Sequence, residues 1–236
     1  LVIGDFFLDK YFLLDPASTE ISLETNLAAY QVVEIRGSPG AAGTVTSNLR
    51  AMEVQVSAVG VIGDDGEGYD LRRRLQATGV DVTGLIVRQD RRTPTYAKPM
   101  MQGKDGSLRE LNRLDTKNLT RLPAEAEEQM LQKLRERIEG VDAVIAADQV
   151  PEEDCGCVTA ALREELSRLA MRFPEKFVSA DSRERIGRFR EAIWERNYSV
   201  YGRRKLAKAV RRAGLDVGRD QVARLMREQG IRGASR

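Results

Sequence analysis

VQVSAVGVIGDDGEGYDLRRRLQATG, residues 54–79, is the stretch that decides the fold. VQVSAVGVIG (54–63) is apolar and rich in β-branched residues and reads as a buried strand. DDGEG (64–68) then leads into a helix, YDLRRRLQATG, closed by Gly79. Working outward, the same alternation recurs. Upstream, LVIG (1–4) is a short apolar strand ending at Gly4-Asp5. A loop carrying Pro16 and Ser18 follows, then strand-like QVVEIR (31–36), the SPGAAG turn, and a helix over about 42–52 with Val45, Leu49 and Met52 on one face. Downstream, LIVRQ, TYAKPMMQG and SLRELNRLD read as strands within 85–115, around the turn Gly103-Lys104-Asp105-Gly106. A charged amphipathic helix covers 123–139, followed by the buried strand VDAVIAAD (141–148), a helix over 157–172 and the strand KFVSAD (176–181). This order predicts an α/β fold, a mostly parallel sheet with helices on both faces, interrupted by a small β-element at 85–115.

The composition, 42% hydrophobic and 31% charged, is that of a soluble globular protein. No run reaches ~18 apolar residues, so no membrane-spanning segment is predicted. Asp5 and Asp9 within LVIGDFFLD argue against a signal peptide, and a cytoplasmic setting is expected. The start at Leu1 rather than Met, inside a strand, reads as a fragment. Histidine is absent, which removes Ser-His and Cys-His nucleophile schemes and leaves Cys155 and Cys157 too few partners for a zinc site. The two cysteines read as ordinary thiols.

Charge is divided unevenly. Residues 190–236 hold 13 Lys/Arg against 5 Asp/Glu, while the rest holds 25 basic and 31 acidic residues. The texture also changes near residue 190, to three helical stretches (190–197, 203–213, 219–229) punctuated by glycine. Such asymmetry predicts two modules, 1–189 and 190–236, the basic one suited to nucleic acid.

In the first module, Asp5, Asp9 and Asp148 stand at or just past the carboxyl ends of strands, where open α/β sheets bind ligands, and can accept hydrogen bonds from sugar hydroxyls. SPGAAGTVTSN (38–48) is a small-residue turn into a helix N-terminus, where backbone N–H groups approach a polar ligand. It lacks the Gly-Lys-Ser/Thr of a Walker loop. GVIGDDGEG (60–68) has the wrong glycine spacing for a dinucleotide, with two acids where pyrophosphate would sit. Lys98, Arg109 and Arg113 can meet an anionic group. Each has a plain alternative: a solvated acid, a tight turn, a surface charge. In the second module, RKLAKAVRRAG (204–214) and RDQVARLMREQG (219–230) are basic helices with apolar stripes, joined through Gly214 and Gly218. This is the layout of a helix-turn-helix with Arg219, Gln221 and Arg224 early on its second helix, where Gln reads adenine and Arg guanine.

LVIGDFFLDKY, PGAAGTVTSNL, VSAVGVIGDDGEGYDLRRRL, RRTPTYAKPM with LNRLD, and AVIAADQ, in this order, resemble the N-terminal part of a PfkB/ribokinase-family carbohydrate kinase, within it the heptose-phosphate kinase branch. The resemblance covers nearly all of 1–189. It implies a Rossmann-like ribokinase fold with a small β-lid at about 85–115, and substrate contacts at Asp9, Gly40, Ala41, Thr44, Lys98 and Asp148. Ala41 stands at the second glycine of the family's Gly-Gly turn and Thr44 where many members have Asn. ATP and Mg are the parent family's cofactors. Its base lies in a Gly-Ala-Gly-Asp motif that these 236 residues do not contain, so the resemblance implies a truncated, inactive kinase with no catalytic residue and no cofactor or metal held.

Residues 192–233 resemble the helix-turn-helix region of IS3-type transposases, carried by Tyr201-Gly202-Arg203-Arg204 and Val222-Ala223-Arg224-Leu225-Met226-Arg227. This implies DNA contacts at Arg203, Arg204, Arg219, Gln221 and Arg224, and no strand-transfer chemistry. The expected protein is a kinase remnant joined to a DNA-binding segment. The alternatives are a sugar-responsive DNA-binding protein and an active kinase with an unusual C-terminus.

Overall fold

The computed structural model describes residues 1–189 apart from Lys104. In chain order the elements are β1 (Val2–Gly4), β2 (Phe6–Ile21), β3 (Ala28–Ala41), α1 (Ala42–Ala51), β4 (Ser57–Gly63), α2 (Gly66–Ala77) and β5 (Asp81–Arg88). β6 (Thr95–Gln102), β7 (Leu108–Glu110), β8 (Leu114–Thr116), α3 (Ala124–Ile138), β9 (Ala143–Asp148), α4 (Ala160–Arg172), β10 (Phe177–Ser182) and a 3-10 turn at Ile186–Arg188 follow.

The body is a five-stranded sheet in the order β10-β9-β1-β4-β5, parallel throughout. Neighbouring residues go to opposite faces, as a strand's period of two requires. Val2 and Ala58 pack with Leu71 and Leu75 of α2, whereas Ile3 and Val59 pack with Met130 and Leu134 of α3 and Leu162 and Leu166 of α4. Helices therefore cover both faces. Each fully buried Leu or Ile contributes roughly 1.5–3 kcal/mol. α2 begins at its N-cap Asp65, whose carboxylate accepts from the Gly68 N–H at 2.8 Å and from the Thr93 N–H and hydroxyl at 2.9 and 2.7 Å. Asp65 of the DDGEG stretch thus has a capping job. Among the described residues, no helix is long and apolar enough to cross a membrane.

A second sheet, β3-β2-β6-β7 with β8 also on β6, forms the lid. Here the structure corrects two sequence expectations. The expected loop around Pro16 and Ser18 lies inside β2, which pairs antiparallel with β3 from Phe6↔Ala41 to Ile21↔Ala28. The loop-forming residues sit at an irregularity between Asp15 and Glu20, where Asp15 accepts from the Ala17 N–H and the Ser18 hydroxyl. A bulge is where a strand tolerates proline. The lid also differs from the expected 85–115 element. Residues 81–88 form the body strand β5, and most of the lid sheet comes from β2 and β3. Further on, α4 starts at Ala160 rather than 157, because Thr159 caps it and Cys157 is buried in the preceding turn.

Candidate functional site

β2 leaves the carboxyl end of β1 through Asp5, so its alternate residues Phe7, Asp9 and Tyr11 share one face of the lid. Parallel pairing sets Asp9 beside Tyr96 and Tyr11 beside Lys98 of β6, and antiparallel pairing sets Phe7 beside Gly40 of β3. The Lys98 ammonium lies 2.9 Å from Asp9 Oδ1, donates to the Tyr11 hydroxyl at 3.2 Å, and sits 4.8 Å from the Tyr11 ring centroid. Burial lowers the lysine's pKa, but its bonds to Asp9 and Tyr11 outweigh this and hold it above the ordinary value. A Cβ at Gly40 would stand 2.7 Å from Asp9 Oδ2, so a side chain there would displace the carboxylate. Three of the expected substrate residues, Asp9, Gly40 and Lys98, therefore converge. Next to them Phe7 and Tyr96 meet edge to face at 5.3 Å, and Arg113 stacks on Tyr96 at 4.1 Å while pairing with Asp115. Arg109, paired with Met101, belongs to the opposite face.

Phe7 and Tyr96 also wall a cleft between lid and body, lined further by Asp5, Arg91, Lys117, Glu152 and Cys157. Asp5 is not free to meet a sugar. Its carboxylate is buried and accepts the N–H groups of Cys157, Gln149 and Val150 at 2.7, 2.8 and 3.2 Å. Burial pushes its pKa up to about 6 against those three bonds. Arg91 is buried too, and donates to the carbonyls of Thr120, Arg121 and Cys155. Burial pushes the Cys157 thiol up, as expected of an inert cysteine. Asp5 and Arg91 hold the loop 149–157 against the body.

Asp148, at the end of β9, is only 3% exposed. The Ser182 hydroxyl donates to it at 2.7 Å, and Arg185 lies 3.4 Å away. Burial raises its pKa against these partners. Arg185 also donates to the carbonyls of Val150 and Pro151, Arg183 bonds Gln149 and the Asp148 carbonyl, and Arg188 pairs with Glu153. Residues 182–189 thus form a strap over the carboxyl end of β9, closed by buried Phe189. Asp148 faces this strap and is not part of the Asp9 cluster. Partners 34 to 37 residues apart leave no local pattern in the sequence.

Ala41 joins β3 to α1 with φ 53° and ψ −119°, a backbone that favours glycine. Thr44 is exposed on the first turn of α1 and donates to the Pro39 carbonyl at 3.3 Å. Tyr11, Phe7 and Tyr96 escaped the sequence reading. Reading 6–14 as a strand would have exposed Phe7 and Tyr11, which alternate with Asp9, whereas Tyr96 lies in a stretch already read as a strand. Arg203, Arg204, Arg219, Gln221 and Arg224 lie outside the described residues.

A parallel body sheet, a lid rising from the end of its first strand, and an acid–lysine pair on the lid's crevice side define a ribokinase-like fold. The chain belongs to the pfkB family of carbohydrate kinases, whose model matches residues 14–164. A model described as an HTH-like domain matches residues 182–236. Among curated relatives, the bifunctional protein HldE of Desulfatibacillum aliphaticivorans is 31% identical over 172 residues, covering 72% of this chain and 32% of that protein. HldE of Wolinella succinogenes is 32% identical over 148 residues, covering 63% and 30%. The chain thus spans about a third of the length of these relatives. Among solved structures, Arabidopsis thaliana ribokinase complexed with ribose and ATP superposes with TM-score 0.58 at 12% identity, covering 98% of this chain and 68% of that one. Cryptococcus neoformans ribokinase in complex with ADP gives 0.54 at 17%, covering 94% and 64%. At these identities the likeness is one of fold.

Proposed function

We propose that residues 1–189 bind a sugar or sugar phosphate between lid and body, and that residues 190–236 bind DNA. The observation that carries the first half is the convergence of Asp9, Gly40 and Lys98 on one lid face beside an open cleft. Asp9 accepts sugar hydroxyls, Gly40 leaves room for its carboxylate, and Ala41 and Thr44 line the turn into α1. Asp148 joins them only when a ligand displaces Ser182 and Arg185. The basic segment, through Arg203, Arg204, Arg219, Gln221 and Arg224, supplies phosphate and base contacts. Two free thiols fit a cytoplasmic setting.

The solved ribokinases named above carry ATP or ADP, and the resemblance places the base and the nucleotide contacts around a Gly-Ala-Gly-Asp motif that these 236 residues do not contain. No phosphoryl-transfer step is therefore assigned to them, and our reading of these 236 residues as a kinase remnant without turnover rests on that resemblance. The resemblance to the heptose-phosphate kinase branch motivates including sugar phosphates among the ligands. The test is calorimetric titration of the chain with neutral sugars and their monophosphates, beside an ATP-coupled turnover assay. Binding that falls at least about tenfold in Asp9→Asn, with no turnover, is expected. Sugar-dependent ADP release would overturn the remnant reading, and binding indifferent to Asp9→Asn would overturn the site.

One observation favours a sugar-responsive DNA-binding protein as the second reading. The strap stitched to Asp148 and the 149–153 loop is the same stretch of chain with which the HTH-like match begins. DNA affinity that changes on adding a bound sugar, at fixed salt, would select it.

A further inference from the structure

We propose that Lys98 is a positioning residue for Asp9 rather than an anion-binding group, and that the ligand end received here is an uncharged polyol. The proposal rests on the sugar-binding reading above and adds to it the charge of what is bound.

Two of the three donors on the Lys98 ammonium have partners in place, Asp9 Oδ1 at 2.9 Å and the Tyr11 hydroxyl at 3.2 Å. The Tyr11 ring stands beside the nitrogen as well. The lysine side chain is 16% exposed, and that of Asp9 20%. Asp9 is held from two sides. Lys98 takes Oδ1, and Gly40, by lacking a side chain, leaves the space in which Oδ2 lies. Oδ2 accepts no hydrogen bond from a described residue, which leaves one oriented acceptor for a hydroxyl. A carboxylate with a free oxygen repels a phosphate and attracts an O–H. The neighbouring cation is also committed, since Arg113 forms a two-pronged pair with Asp115 at 2.6 and 2.8 Å. Charge at this end of the crevice is therefore balanced before any ligand arrives. A direct Lys98–phosphate contact would have to break the Asp9 pair and leave the carboxylate beside the incoming anion.

The two roles predict different substitution patterns. Lys98→Met is titrated with matched probes, D-ribose against D-ribose 5-phosphate and D-mannose against D-mannose 6-phosphate. If Lys98 acts through Asp9, both members of any pair that binds weaken by the same factor, about tenfold. Lys98→Arg, which keeps the charge beside Asp9, restores both. Loss confined to the phosphorylated member, or no loss in either, overturns the proposal. A ligand-free readout guards against a folding defect. Nitrogen-15 spectra of the intact chain should show a protected Lys98 ammonium signal that disappears in Asp9→Asn. Its persistence in that variant also overturns the proposal. If no probe binds the wild-type chain, the sugar-binding reading is what falls, and the ammonium signal still decides whether Lys98 is committed to Asp9.

Discussion

The body strands are three to eight residues long and mostly buried, whereas β2 and β3 of the lid run for 16 and 14 residues and end exposed. Exposed Ile21, Leu23, Leu27, Tyr30, Val32, Val33 and Ile35 all fall in the outer part of that hairpin. A parallel sheet closed by helices on both faces obtains its stability from two apolar clusters. The lid obtains its order from backbone pairing and from its root, where Phe6 and Leu8 enter the body core and Lys10 pairs with Glu67 of α2 at 2.9 Å. The difference teaches where stability and ligand contact reside. The body carries the core, and the lid carries the side chains that face the crevice.

The largest effect should separate the two sheets directly. Leu134→Ala, at a fully buried α3 position, is expected to cost about 2–5 kcal/mol, while Ile35→Ala on the lid costs less than about 0.5 kcal/mol. Urea unfolding measures both, and similar losses would erase the contrast. Next comes Asp5, where the body meets the lid. Its folded pKa of about 6 lies above the ordinary 3.8. The folded state therefore binds a proton more tightly than the unfolded one. The stability from that proton is fully present below about pH 4 and is lost as pH rises through about 6, some 2–3 kcal/mol in all. Asp5→Asn should flatten unfolding free energy across that window, and an unchanged slope would place the titration elsewhere. The smallest effect belongs to the join between lid and α1. Ala41→Gly relieves a left-handed backbone at the expense of a looser unfolded chain, for a net gain of about 1 kcal/mol in thermal unfolding. A net loss would mean that the Ala41 methyl group packs usefully.

The body was legible in the sequence because a doubly covered strand is a continuous apolar run. VIG, SAVGVIG and AVIAAD all announce themselves, and Gly79 closes α2 as its sequence suggests. The lid was legible only in part: QVVEIR and TYAKPMMQG mark β3 and β6, but strands exposed along much of their length need no such run. β2 mixes Asp9, Lys10, Asp15 and Glu20 with its apolar residues and passes through a bulge that looks like a turn. At the site, Asp9, Gly40 and Lys98 could be named one by one, yet their convergence depends on strand register. Asp5 shows the opposite failure. Its place at a strand end suggested a ligand contact, whereas three backbone N–H groups already occupy it. Asp148 was named from the same rule, and its partners Ser182 and Arg185 lie just past the stretch read as the strand KFVSAD (176–181).

The strap has a consequence for distance. Phe189 is buried in the apolar cluster that α3 and α4 share, and so gives a fixed point from which distance along the following sequence can be counted. An extended chain reaches at most about 3.6 Å per residue, which confines Arg203 and Arg204 within roughly 50–55 Å of that point. If, as proposed, the basic segment and the crevice each take a ligand, the two ligands would be held on one short leash. Each would then experience the other at a local concentration on the order of millimolar, however dilute the protein.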